Sequence, residues 1–267
     1  MLSLPRLLGR HLAKFLSKPR RHGSQLPTSP PHLLRATLRK GDVLLVEGNS
    51  RFSTAIKYLS QSTWSHAALY IGDHVAALPG EEAPLFCDVD INVGVRLVGM
   101  SEFAGLHTRI CRPVGLSAQE IETVVEYMVS RVGNSYDLKN IFDLARYLVR
   151  TPPLPSSVKR RFLELGSGEP TRAICSTLLA QAFGAIRYPI LPEIDQTPLV
   201  GADAGEDAEI LYPRHHSLTL PRDFDVSPYF NVVKPRLQHG FDFHRLVWEP
   251  PAASALPASA PLDAALA

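Results

Sequence analysis

The chain has 267 residues, 45% of them hydrophobic and 20% charged, and a formal net charge of +2. This is globular usage, enough to bury one substantial core. A charge so close to neutral, with basic residues not interleaved with aromatics along a stripe, argues against a nucleic-acid groove.

The first 41 residues contain no acid, and within them Leu4, Leu8, Leu12, Phe15 and Leu16 recur at helical spacing, with Arg10, Lys14 and Lys18 elsewhere on the wheel. Such a helix, through about Arg21, can lie on an anionic membrane surface; it can equally be a solvated helix packed on the domain. "SQLPTSPPH" then reads as a Pro/Ser linker, so residues 1–40 form an N-terminal segment. The N-terminus lacks the apolar core and small-residue cleavage site of a secretory signal, and no apolar run approaches the roughly 18 residues of a membrane span. The expected location is the cytoplasm, with possible peripheral contact on the inner face of the membrane.

From Gly41 a β-rich half begins: "DVLLVEG", "SHAALYIG", "PLFCDV", "GVRLVG" and "TRICRPV", separated by Gly, Pro and Asp turns, read as one antiparallel sheet. Between the first two, Asn49 or Ser50 caps a short helix in "NSRFSTAIKYLSQST". The second half turns helical. Ser117-x-x-Glu120 forms a capping box ahead of Ile121, Val124, Val125, Met128 and Val132, and Gly133 closes the helix. After "YDLKNIFDLARYLV", a proline stop and the basic "KRRF", a last apolar helical face comprises Ile174, Leu178, Leu179, Ala182 and Phe183. The tail, 250–267, has nothing to bury and is expected to be disordered.

Two residues fall outside this packing logic. His66 stands in the apolar run "SHAALYIGD", where packing needs no imidazole; its ordinary reading is a satisfied core histidine, its functional one a proton-transfer group. Cys175 lies just before or within the first turn of the last helix, with Pro170-Thr171 as a start signal and Ser176 or Thr177 as alternative caps. A helix N-terminus favours thiolate and aims free N–H groups at a developing oxyanion. Cys87 and Cys111, inside strand patterns, read as buried core. With three cysteines at irregular spacing and no CxxC, neither a disulfide framework nor a zinc knuckle is indicated. Adjacent His215 and His216 cannot chelate from one face, and no metal or other cofactor is expected.

The ordered set "GDVLLVEG", "WSHAALYIGD", "LFCDVDINVGVRL", "GNSYDLKNIF" and "ICSTLLAQAF" resembles the circularly permuted branch of the NlpC-type papain-like cysteine hydrolases, the YiiX/YebB-like group that includes bacterial lipo-like proteins. The resemblance runs from about Gly41 to about Phe230. It implies an α+β papain-like fold over residues 41–249, an antiparallel sheet packed against helices. By position it matches Cys175 to the nucleophile, His66 to the general base and Tyr136 to a tyrosine that helps hold the oxyanion. Related proteins often carry a Glu six residues before the Gly of the "GV" strand; here that place is Asp88, and Asp90 is the alternative third member.

The implied function is a cysteine-dependent hydrolase or acyltransferase acting on an amide, peptide or lipid-ester bond through a thioester. A non-catalytic membrane-associated binding protein on the same scaffold is the alternative, and a purely structural thiol protein a third reading. The oligomeric state is open.

Overall fold

In the computed structural model the described residues are 29–90, 92–134, 174–195, 210–212 and 214–235. They form an α+β fold whose main sheet is antiparallel with six strands. The elements are α1 (Pro31–Thr37), β1 (Val43–Glu47), α2 (Arg51–Ser60), β2 (His66–Tyr70), β3 (Phe86–Asp90), β4 (Gly94–Val98), a 3-10 turn (Met100–Phe103), β5 (His107–Pro113) and α3 (Ala118–Val129), followed by α4 (Ile174–Ala185), β6 (Glu193–Asp195), β7 (Ile210–Tyr212), a second 3-10 turn (His216–Leu218), α5 (Pro221–Val226) and β8 (Phe230–Val233). The strand order is β4-β3-β2-β1-β5-β8, and β6 with β7 makes a separate two-stranded ladder.

The sheet is covered on both faces, which is why "VLLV" is apolar without alternation. Val43, Leu45, Ala67, Leu69, Cys87, Val89 and Cys111 meet α3, α4 and α5 through Val124, Val125, Met128, Leu178, Leu179, Phe183 and Phe224. Leu44, Val46, Ala68, Phe86 and Ile110 face the other way, onto Leu34, Leu38, Met100 and Phe103. Each fully buried Leu or Phe contributes about 1.5–3 kcal/mol. The helices' face holds more of these side chains.

The capping box of α3 is present, with Ser117 Oγ accepting from Glu120 N and the Glu120 side chain accepting from Ser117 N. The helix stops at Val129, however, and Val132, expected on its buried face, is 40% exposed. The chain leaves the helix there because Gly133 N donates to Val95 O at 2.9 Å and Val95 N donates to Asn134 O at 3.0 Å, extending the edge of β4. Ser50, not Asn49, caps α2, its side chain accepting from Ser53 N. Helix α1 falls partly in the stretch that reads as a linker; Pro31 occupies its first position, where the missing N–H costs nothing. Helix α5 and strand β8 were not expected either.

Gly41 and Asp42 join α1 to the sheet. Gly41 has φ +89°, and a Cβ there would lie 3.1 Å from Ile121 Cγ2, so a side chain would be both strained and crowded. Asp42 is 1% exposed and accepts from Arg39 N, while Arg112 holds it as a fork, Nε to Oδ1 and Nη2 to Oδ2, each at 2.8 Å. Arg112 Nη2 also donates to Thr37 O. One buried carboxylate thus ties α1, β1 and β5. Asp42→Ala, which leaves the Arg112 guanidinium half-buried without its counter-charge, is expected to lower the unfolding free energy by about 3–5 kcal/mol, read from the urea midpoint at unchanged slope.

Candidate active site

His66 is the first residue of β2, opposite Val46 of β1. The two residues before it are anchored. Trp64 is buried, its indole N–H donates to Asp225 Oδ2 at 2.9 Å, and the Arg109 guanidinium lies 5.0 Å from the ring centre. Ser65 Oγ accepts from Gly48 N at 2.9 Å. A Cβ on Gly48 would sit 2.2 Å from Ser53 Oγ, so glycine is what lets the start of α2 close against the end of β1 beside the histidine.

Strand alternation puts Asp88 on the same face as His66, and the β3–β4 register puts Arg96 directly opposite Asp88. Asp88 is 1% exposed. Its Oδ1 accepts from His66 Nε2 and from Val89 N, both at 2.5 Å, and its Oδ2 accepts from Arg96 Nη2 at 2.9 Å. The same Arg96 nitrogen donates to Glu102 Oε1 at 2.5 Å.

Burial alone would raise the Asp88 carboxyl, but the charges and hydrogen bonds of His66 and Arg96 overcome it and bring the value down to about 2. A depressed carboxylate contributes stability that is present above its ordinary value of about 3.9 and is lost as the pH falls through the folded value. Burial opposes protonation of His66, yet the Asp88 charge, and after it Cys175, hold the imidazole well above its ordinary range. A quarter of the imidazole surface remains open to solvent.

Cys175 is the second residue of α4 and belongs to the core on the opposite face of the sheet, with Ala67, Cys87 and Val89. It lines the same cavity as His66, which stands at the start of β2. Its charge is among the influences that raise the imidazole. Of the two ring nitrogens, Nε2 is the one that Asp88 engages. Cys175, His66, Asp88 and Arg96 all line one cavity of about 190 Å³, with Val46, Phe52, Phe103 and Leu106 as its apolar wall. Ser176 does not cap α4: it lies inside the helix, and its Oγ donates to Thr219 O at 2.6 Å.

Asp90 lines the same cavity, but its carboxylate accepts from Asn92 N and Val93 N in the β3–β4 turn. Tyr136, and the basic N-terminal residues 1–21, lie outside the described residues. Cys87 and Cys111 are fully buried, and burial pushes both thiols up to about 12. The rings of His215 and His216 lie 4.2 Å apart. Among the described residues no group of three or more His, Cys, Asp or Glu side chains is placed to hold a metal ion. No helix among them is long and apolar enough to cross a membrane. Arg96 went unnoticed in the sequence, although pairing "PLFCDV" with "GVRLVG" across the Asp90–Gly94 turn would have placed it against Asp88.

No curated protein matches the chain. Among five solved chains that match, a crystal structure described as metalloprotein yiiX from Escherichia coli O157:H7 is 14% identical, over 73% of this chain and 96% of that one, with a TM-score of 0.42. The family model described as permuted papain-like amidase enzyme, YaeF/YiiX, C92 family, matches residues 37–147, a segment that holds His66, Asp88 and Arg96 and ends before Cys175. Over that segment the chain is similar to the permuted papain-like amidases of the YaeF/YiiX, C92 family.

Proposed function

We propose that the protein is a cysteine-dependent hydrolase or acyltransferase that opens an amide, peptide or lipid-ester bond through a thioester, with residues 41–249 as its catalytic domain. The family match supports a hydrolase of amidase type. One observation carries the finer reading: the only sulfhydryl on the cavity wall among the described residues shares that wall with an imidazole already fixed by a buried carboxylate.

In this mechanism His66 Nδ1 takes the Cys175 proton, and the sulfur attacks the carbonyl carbon of the substrate. The first-turn N–H groups of α4 and the Tyr136 hydroxyl are the groups assigned to hold the oxyanion. The imidazolium returns its proton to the leaving amine or alkoxide as the C–N or C–O bond breaks, leaving a thioester on Cys175. Water, or an acceptor nucleophile, then gives its proton to His66, attacks the thioester and releases the thiol. Asp88 keeps the ring in the tautomer and orientation that both halves need.

Brief treatment of the native protein with iodoacetamide, mapped by mass spectrometry, is expected to modify Cys175 well before Cys87 and Cys111, whose thiols burial holds at about 12. Cys175→Ala is expected to abolish hydrolysis of activated amides and esters, and His66→Ala to slow it by at least about 100-fold. Equal labelling of the three cysteines, or turnover surviving in Cys175→Ala, would sink the mechanism.

The acid-free segment through Arg21 bears on where the substrate lies. We take it to hold the domain against anionic membrane, each basic residue near the surface contributing about 1 kcal/mol. Deleting residues 1–24 is expected to abolish co-sedimentation with phosphatidylserine vesicles while Cys175 labelling stays unchanged. Sedimentation that survives the deletion would favour a soluble amide or peptide substrate.

A further inference from the structure

Arg96 has more attachments to the site than to the rest of the fold. It stands opposite Asp88 in the β3–β4 ladder and lines the cavity that holds Cys175 and His66. Its Nη2 donates to Asp88 and Glu102 at once, whereas its Nε is buried and has no hydrogen-bond partner. A buried N–H without an acceptor is a cost that an arginine serving only the fold would shed by turning its fork. This side chain instead keeps the orientation that suits the carboxylate.

The carboxylate is thereby divided. Oδ2 belongs to Arg96, and Oδ1 to His66 Nε2 and the Val89 N–H, so the group cannot rotate away from the imidazole. The guanidinium also sets a positive charge against the anion that stabilises the imidazolium. Acting on His66 are the charges of Asp88 on β3 and Cys175 on α4, while Asp90, Arg96 and Glu102 line the same cavity. Arg96 is the one cation lining the cavity, besides His66 itself, among the described residues. With Asp88 unopposed, the ring would keep its proton too firmly to hand it to a leaving group.

We propose that Arg96 is a positioning residue of this site: it turns Asp88 Oδ1 onto His66 and limits how tightly the imidazole holds its proton. The inference rests on the Cys175/His66 reading above and adds to it a residue that acts through Asp88.

The test follows the His66 ring by NMR, as a pH titration of the full-length protein labelled at histidine, with the His66 signal identified by its loss in His66→Asn. Iodoacetamide labelling of Cys175 is measured alongside. In Arg96→Gln the His66 midpoint is expected to move up by about one pH unit, the size of shift a neighbouring charge produces; Arg96→Lys, which keeps the charge, is expected to restore most of it. Glu102→Gln, an exposed change that frees Arg96 for Asp88, is expected to move the midpoint down. It reads the same coupling even if Arg96→Gln does not fold. An unmoved midpoint in Glu102→Gln, together with an unmoved one in any folded Arg96→Gln, overturns the role of Arg96 while leaving the dyad standing. Labelling of Cys175 that is unchanged in His66→Asn overturns the dyad and, with it, this inference.

Discussion

Asp88 sets a carboxylate inside the sheet at 1% exposure, and an ionised carboxylate survives there only if donors replace the water it has lost. Three are supplied, from His66 on β2, the Val89 N–H on β3 and Arg96 on β4. The demand for donors and the orientation of the imidazole are one arrangement. Each strand contributes a single residue, so the register of the ladder is also the geometry of the site. A slip by one residue would turn Arg96 to the opposite face and leave a buried anion without its cation.

The sulfur comes from elsewhere in the chain and from the other side of the sheet. Helix α4 packs its Leu178, Leu179 and Phe183 into the larger core, and this fixes where its N-terminal end stands relative to β2. The histidine occupies the first position of its strand, where the ladder stops and side chains of both faces can meet. Trp64 and Ser65, just upstream, are tied to α5 and to the end of β1. The cavity is therefore held by groups from β1, α2, β2, β3, β4 and α4. Its apolar wall lowers the local dielectric, which strengthens the charge interactions among His66, Asp88 and Cys175.

Elements whose signals are local could be read from the sequence with little error. The capping box of α3, the start of α2 at Asn49 or Ser50 and the five strands from β1 to β5 each depend on residues within one turn or one ladder of each other. The errors have a common cause. Val132 continues the apolar period of α3, but the helix ends before it because the backbone at Gly133 and Asn134 bonds to β4. Ser176 has a capping residue's chemistry, but the helix begins upstream of it and its hydroxyl serves Thr219. Helix α1 is short and starts at a proline, so composition alone suggests a linker.

The amino-acid sequence by itself determined the α+β class, the apolar strands of one antiparallel sheet, and two residues, His66 and Cys175, that packing did not call for. Those follow from composition and period, properties of neighbours along the chain. Tertiary structure decided that these two line one cavity across more than a hundred residues, that Asp88 and not Asp90 takes the imidazole, and that Arg96 takes the other carboxylate oxygen. Such choices depend on strand register and on where a helix docks against a sheet. Neither is encoded by any short stretch of residues; both come from the burial of whole faces at once.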